Sequence, residues 1–303
     1  MNKQELAIAK EIYDVLCIPS DCCDEKGNLK EFDYVVAIDD DVTSAIYAVN
    51  MARQIKKIHG EYPTILCVGG KGILSRHLYN KSEAEVLADV CLRLGYPKNL
   101  VWYEGFETGK NAAENIQNVA EFIKCLYKPR SVLFCVTKRQ SLWYAVMQQE
   151  QAPYLDVSWC VINETFEEAC KLMNAKSLCD GEMMLHEVAA IMPLCQRYVE
   201  EKQKRIPFLP PEACDVFVMG KAAYLAKKYC LKIGGRPRYR LDNWYFDGSY
   251  CLGIGKFRFT DYCRYVRLYI SLLRNRKKIM KAIDNAVIMD NLDYGMTNAN
   301  LAV

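Results

Sequence analysis

Between residues 33 and 163, short apolar segments alternate with longer segments of helical periodicity, and this alternation constrains the fold more than any other feature. The short segments are apolar on both faces, as strands buried in a parallel sheet are. Strands are predicted over 33–38, 64–69, 100–104, 131–137 and 155–162, and helices over 43–58, 82–94, 111–127 and 139–149. Because right-handed crossovers join parallel strands, the pattern predicts an α/β fold, a Rossmann-like parallel sheet with flanking helices.

The regions before and after this alternation read differently. Residues 1–32 begin with an amphipathic helical pattern and continue as a polar loop. After residue 163 the β pattern stops, and helices are predicted over 164–173, 182–204, 211–231 and 262–287. We therefore expect three parts: an N-terminal helix and loop (1–32), a Rossmann-like core (33–163) and a mainly helical C-terminal region (164–303). The Gly-, Arg- and aromatic-rich segment 234–260 receives no assignment.

The composition excludes several classes of protein. Hydrophobic residues make up 51% and charged residues 25% of the 303 positions, values typical of globular domains and not of collagenous, coiled-coil or disordered chains. No apolar run approaches the ~18 residues that a membrane span needs, and the N-terminus lacks the pattern of a secretory signal. We therefore expect a soluble, cytoplasmic chain without a membrane anchor.

The 15 cysteines are odd in number and scattered, and no CxxC pair occurs among them. Most lie in apolar segments, where a reduced cysteine acts as a small hydrophobic residue. The doublet Cys22–Cys23 lies in a polar loop and is predicted to carry exposed thiols. With only three histidines besides, the sequence predicts no metal site.

The small net charge of +3 conceals an asymmetry between the two parts of the chain. Residues 201–303 contain 19 Lys and Arg against 9 Asp and Glu, whereas residues 1–200 contain 21 against 28. In the tail, Arg236, Arg238 and Arg240 interleave with Tyr239 and Trp244, a composition compatible with single-stranded nucleic acid. One alternative is therefore a non-catalytic binding or regulatory module whose basic tail binds a protein or nucleic acid. Docking of basic helices on the acidic core is the favoured account, so we do not expect a nucleic-acid partner.

Loops that follow the strands are where an open parallel sheet binds its ligand. Three acidic residues, Asp39 to Asp41, follow strand one, whereas a helix cap needs only one acid. The glycines that follow strand two permit close approach of a ligand to the backbone. We expect the N–H groups of this glycine loop, with Lys71 and Arg76, to contact a phosphate or carboxylate. The serine at 82 is predicted to cap the next helix, with Glu83 and Glu85 in its first turn.

After strand three, Glu104 is expected to be a buried carboxylate, followed by polar residues on the first turn of the next helix. Lys138 and Arg139 follow strand four and are candidates for binding an anionic group of a ligand. Candidate catalytic residues are Glu83, Glu104 and His77. The candidate ligand-binding residues are Asp39, Asp40, Gly69, Gly70, Lys71, Gly72, Arg76, Ser82, Glu83, Glu104, Asn111, Glu114, Asn115, Thr137 and Arg139.

The order of these motifs resembles that of the SanA/ElyC/YdcF-like family over residues 33–163. The matching positions are Asp33, Gly69, Gly70, Gly72, Ser82, Glu83, Ala84, Glu104, Glu114, Asn115 and Thr137. The chain looks closest to the cytosolic YdcF-like branch, because the membrane anchor of the other branches is absent. The resemblance implies a Rossmann-like core with a deep pocket and an association with S-adenosylmethionine or a related nucleotide; it implies no particular reaction. Where family members often have H-x-x-R-A after strand four, this chain has SLWYA (141–145).

Overall fold

Two helical layers and a parallel sheet make up most of the described part of the chain. The computed structural model describes residues 3–15, 17–38, 42–71, 79–109, 112–126 and 130–168, and six positions between 270 and 285. Its elements are α1 (Lys3–Val15), β1 (Tyr34–Ile38), α2 (Thr43–His59), β2 (Thr64–Val68), α3 (Glu83–Arg93), a 3-10 helix (Lys98–Leu100), β3 (Val101–Trp102), α4 (Ala112–Lys124), β4 (Val132–Thr137), α5 (Lys138–Gln151) and β5 (Val157–Ile162).

The five strands form one parallel sheet in the order β3-β2-β1-β4-β5. The α/β class and the parallel sheet with flanking helices are thereby confirmed. The chain proceeds from β1 outward to β2 and β3, and then returns to the other side of β1 for β4 and β5. The strand order therefore reverses between β1 and β4, which is where open parallel sheets bind ligands, at the carboxyl ends of the strands.

Alternate residues of the strands pack on opposite helical layers. On one face, Val35 and Ala37 of β1 belong to a continuous core with residues of α2 and α3. On the other face, the ring of Tyr34 lies edge-on to that of Phe122 in α4, with centroids 5.6 Å apart. Val35 to Ile38 are fully buried, so β1 is covered on both sides. This burial explains why the predicted strands read as continuous apolar runs.

The chain divides into two compact units. The first contains α1, α5 and the segment from residue 163; the second contains all five strands with α2, α3 and α4. Within the first unit, the Tyr13 hydroxyl donates to the Glu164 carbonyl at 2.9 Å, and the Tyr13 ring meets Phe166 edge-on. Lys138 forms an ion pair of 3.0 Å with Asp14. The three-part division predicted from the sequence stays a prediction.

Strand β3 is shorter than the predicted strand over 100–104. It covers only Val101–Trp102, because the chain turns at Tyr103 and accepts a hydrogen bond there from the Phe106 N–H, at 3.0 Å. Gly105 adopts a φ of 89° in this turn, a conformation that favours glycine. The six described positions between 270 and 285 are helical, as the predicted helix over 262–287 requires. The other helices predicted beyond residue 168 lie outside the described residues.

Candidate functional site

A turn of Gly69, Gly70 and Lys71 leaves the carboxyl end of β2. The Gly69 N–H donates to the Phe106 carbonyl at 3.1 Å, and the Gly70 N–H donates to the Gly109 carbonyl at 2.8 Å. Both amide donors are thus paired with the loop that follows β3. The structure does not support the expectation that these two N–H groups contact a phosphate.

The carbonyl groups of the same two glycines are paired as well. Gly70 accepts from the N–H of Glu83 at 2.9 Å, and Gly69 accepts from the N–H of Ala84 at 2.8 Å. The first turn of α3 therefore uses the glycine turn as a backbone partner for its otherwise unpaired N–H groups. We call the assembly of this turn, residues 105–109 and the first turns of α3 and α4 the glycine junction.

Close packing explains why glycine occupies three positions of the junction. A Cβ added at Gly70 would meet the backbone oxygen of Gly109 closer than any real Cβ contact. At Gly69, where φ is +144°, it would lie 2.8 Å from the Cβ of Glu83. At Gly109 it would collide with the side-chain oxygen of Asn115. These glycines let two loops and two helix termini meet without intervening side chains.

The first turn of α3 carries the capping box that the sequence predicts. The Ser82 hydroxyl accepts from the Glu85 N–H at 3.2 Å, and the Glu85 carboxylate accepts from the Ser82 N–H at 2.8 Å. The Ser82 N–H and then its hydroxyl lower the pKa of Glu85 by stabilising the carboxylate. The Ser82 side chain therefore serves the helix terminus, and the neighbouring Glu83, which is half-buried, presents its carboxylate over Gly69.

Asn115, in the first turns of α4, contributes the most unusual polar atom of the junction. The residue is 5% exposed, and its Oδ1 atom is buried without a hydrogen-bond partner. A buried unpaired acceptor costs about 1–3 kcal/mol, so such atoms are rare in native proteins. Glu114, half-buried, precedes it in the same turn, as predicted. The unpaired oxygen marks a place where a donor from a ligand or a water would be stabilised.

The other predicted site residues have different surroundings. Lys71 is exposed, and so is Glu104, which corrects the expectation of a buried carboxylate there. Thr137 is fully buried at the end of β4. Arg139 is 1% exposed and faces Glu164 within the first unit, with 3.8 Å between Nε and Oε1, so an internal carboxylate replaces the anion expected for it.

Six predicted site residues lie outside the described part of the chain. The structure does show that Val42 is the N-cap of α2 and makes no side-chain capping bond, so no acid occupies that position. Among the described residues, no group of three or more His, Cys, Asp and Glu could hold a metal ion, and no helix is long and apolar enough to cross a membrane. The six residues are Asp39, Asp40, Gly72, Arg76, His77 and Asn111.

The glycine junction is rich in hydrogen-bond acceptors. Glu83 and Asn115 supply carboxylate and carboxamide oxygens beside Gly69 and Gly109, while the N–H groups of Gly69 and Gly70 are committed within the chain. Acceptors of this kind suit the hydroxyl and amine groups of a ligand better than they suit a bare phosphate. Sequence analysis missed Gly109, although a glycine shortly before a helix and after a strand is a signal for close backbone approach.

Similarity to known proteins gives no further guidance about this site. No family model matches the chain, and no curated protein or solved structure matches it either. The resemblance to the SanA/ElyC/YdcF-like family therefore stays a prediction from the motifs in the sequence. The class that the structure defines is that of α/β proteins with a five-stranded parallel sheet.

Proposed function

We propose that this protein binds a nucleotide-like or phosphorylated small molecule at the carboxyl ends of its parallel strands, with S-adenosylmethionine or another nucleotide as the first ligands to test. The observation that carries the proposal is the buried, unpaired Oδ1 atom of Asn115 at that edge. The topology supports the same location, because the carboxyl edge is where such sheets bind ligands. The family resemblance supports the nucleotide class.

The acceptor-rich glycine junction determines which part of the ligand it would hold. Ribose hydroxyls would donate to the carboxylates of Glu83 and Glu114, and an amine or hydroxyl would donate to the Oδ1 of Asn115. The exposed ammonium of Lys71 would then pair with a carboxylate or phosphate at the periphery. The proposal therefore requires an organic moiety rich in hydrogen-bond donors, so inorganic phosphate alone would not occupy the site.

Thermal unfolding and titration calorimetry on the full chain test the proposal. The ligands are S-adenosylmethionine, adenine and uridine nucleotides, sugar phosphates and inorganic phosphate. We expect at least one organic ligand to raise the Tm, and inorganic phosphate to leave it unchanged. Asn115→Ala should weaken binding of that ligand at least about tenfold, the loss of one buried hydrogen bond.

Asn118→Ala provides the matched control on the same helix. Asn118 is only partly buried, and its Nδ2 donates to the Thr108 hydroxyl at 3.3 Å, so its amide has a partner within the chain. This variant should bind the ligand as the unmodified protein does. Protection by no ligand of the panel, or equal protection of both variants, would contradict the proposal.

The alternative function, a binding module acting through the basic tail, stays a prediction. The residues on which it depends, 201–303, lie outside the described part of the chain except at six positions. A salt-dependent mobility shift of the full chain with RNA or DNA, lost when Arg236, Arg238 and Arg240 are replaced by Gln, would favour it.

A further inference from the structure

Four cysteine thiols form a connected set in the second unit, away from the glycine junction. The thiol of Cys22 interacts with those of Cys23 and Cys160, and Cys160 interacts in turn with Cys135. Cys135 and Cys160 are register partners on the neighbouring strands β4 and β5. Cys22 also packs against the core cluster that contains both of them. The set therefore joins a loop to two strands of the sheet.

Hydrogen bonds to β5 hold the backbone of this loop in place. The Asp21 N–H donates to the Trp159 carbonyl at 3.0 Å, and the Asp21 carboxylate accepts from the Trp159 N–H. The Ser20 hydroxyl accepts from the N–H of Val161 at 2.9 Å. Three hydrogen bonds thus flank Cys160 and place Cys22 beside it.

Exposure decreases along the set of thiols. Cys23 is exposed, Cys22 is half-buried, Cys160 is 8% exposed and Cys135 is fully buried. A small reagent can therefore reach Cys22 from solvent, while Cys160 behind it is shielded. The reachable thiol can take up the reagent, and the shielded thiol can then displace the reagent from it.

We propose that Cys22 and Cys160 are a modification site at which a low-molecular-weight disulfide produces an intramolecular disulfide bond. The thiolate of Cys22 attacks one sulfur of the small disulfide, which breaks its S–S bond and releases one small thiol. The thiolate of Cys160 then attacks Cys22 in the mixed disulfide and releases the second small thiol. Two protein thiols are oxidised, one small disulfide is reduced to two thiols, and the two protons pass to those thiols.

The new bond would tie the loop of Cys22 covalently to β5. Strand β5 ends the sheet on that side, and the loop already pairs with backbone groups of Trp159 and Val161, so the bond would fix this cover on the edge strand. Hydrogen bonding to Cys160, followed by burial, raises the pKa of Cys22 above its ordinary value. Exchange is therefore slow at neutral pH and accelerates as the pH rises.

Incubation of the full chain with oxidised glutathione, followed by intact mass measurement and peptide mapping without reduction, tests the proposal. The expected product links the peptides of Cys22 and Cys160 with the loss of two hydrogen atoms and carries no glutathione on either residue, and it forms faster at pH 9 than at pH 7. Cys67 and Cys91 are the matched control, because their sulfurs lie 3.9 Å apart and both residues are fully buried. That pair should stay reduced.

Two variants separate the steps. Cys160→Ser should stop the reaction at a glutathione adduct on Cys22, and Cys22→Ser, at a half-buried position, should abolish the cross-link. The proposal is overturned if the unmodified protein stays reduced, keeps a glutathione adduct on Cys22, or links Cys22 to Cys23 or Cys135 to Cys160. It is also overturned if Cys67 and Cys91 link as fast as Cys22 and Cys160.

Discussion

The glycine junction of the second unit and the start of α5 in the first unit solve the same problem in opposite ways. Each directly follows a buried parallel strand and must pair buried polar groups. The glycine junction does so through backbone hydrogen bonds, with no room for side chains at Gly69, Gly70 and Gly109. The start of α5 does so through charge, with the buried guanidinium of Arg139 facing Glu164.

The difference teaches which sequence signals for a ligand site are reliable in this chain. Glycines after a strand and an arginine after a strand both suggest anion binding, yet both are committed to partners within their own units. Within the glycine junction, the buried atom without a hydrogen-bond partner is the Oδ1 of Asn115, which comes from a residue type that usually signals no more than a helix start. Removal of charge should therefore damage the start of α5, and addition of one carbon should damage the glycine junction.

Arg139→Met should produce the largest effect on stability. The side chain of Arg139 is fully buried and that of Glu164 is 13% exposed, so the variant leaves a carboxylate without its cation. Breaking such a pair costs about 3–5 kcal/mol of the free energy of unfolding, measured by chemical denaturation. Adding Glu164→Leu removes the stranded charge, so the double variant should be more stable than Arg139→Met alone. If the loss for the double variant equalled the sum of the losses for the two single variants, the charge pair would not be what stabilises this region.

Gly70→Ala should rank second and lower the free energy of unfolding by about 3 kcal/mol, because backbone atoms cannot move aside as a flexible side chain can. The new methyl group would meet the backbone oxygens of Gly109 and Glu107. Gly105→Ala is the matched control: its φ is +89°, but nothing lies within 4 Å of an added Cβ. The control should lose only the cost of backbone strain, about 1–2 kcal/mol. If urea denaturation gave equal losses for Gly70→Ala and Gly105→Ala, the glycine junction would be able to accommodate a side chain at Gly70.

Much of the fold could be predicted from the sequence, because its signals are local. The alternation of apolar and helical segments located all five strands, and each begins and ends within about two residues of the prediction. Strand β3 loses the largest share of its predicted length, since Tyr103 and Glu104 continue a β-like sequence while the turn at Gly105 ends the strand. The S-x-x-E spacing at Ser82 predicted the capping box because both partners lie within one turn.

The partners of the candidate site residues could not be predicted in the same way. The N–H of Gly70 pairs with Gly109, and Arg139 faces Glu164; both partners are distant in sequence and carry no mark of the pairing. Loop glycines and basic residues have the same sequence signature whether they bind a ligand or another part of the chain. Asn115 could be named as a candidate, but its missing partner is a property of tertiary packing alone.

Two capping boxes, one in each compact unit, allow a comparison of smaller effects. Ser82 caps α3 in the glycine junction at 3% exposure, and Thr165 forms the same reciprocal bonds with Glu168 in the first unit at an exposed position. Ser82→Ala should cost about 1–2 kcal/mol and Thr165→Ala about 0.5 kcal/mol, because water replaces the lost bonds only at the exposed site. Thermal unfolding of both variants measures the difference, and a larger loss for Thr165→Ala would contradict the role given to burial.

A pH-dependent effect is expected at Asp33, where charge and backbone pairing meet at the start of β1. Its carboxylate accepts from the Ser131 N–H and hydroxyl, both at 3.0 Å, and from Arg130 at 2.8 Å. Partial burial raises the pKa of Asp33, but the hydrogen bonds from Ser131 and Arg130 outweigh burial and lower the pKa overall. A folded pKa below the unfolded value means that this contribution is complete above about pH 4 and is lost as the pH falls through the folded pKa.

Asp33→Asn should therefore cost about 1 kcal/mol at neutral pH, a value that allows for solvent screening of a side chain that is 36% exposed. The difference in free energy of unfolding between the unmodified protein and the variant should shrink as the pH falls below about 4. Urea denaturation at a series of pH values measures this difference. A difference that stays constant down to the acid limit would assign the stabilisation to the shape of the side chain and not to its charge. In that case the amino end of β1 would resemble the turn of Gly69 and Gly70, where uncharged backbone hydrogen bonds hold the structure.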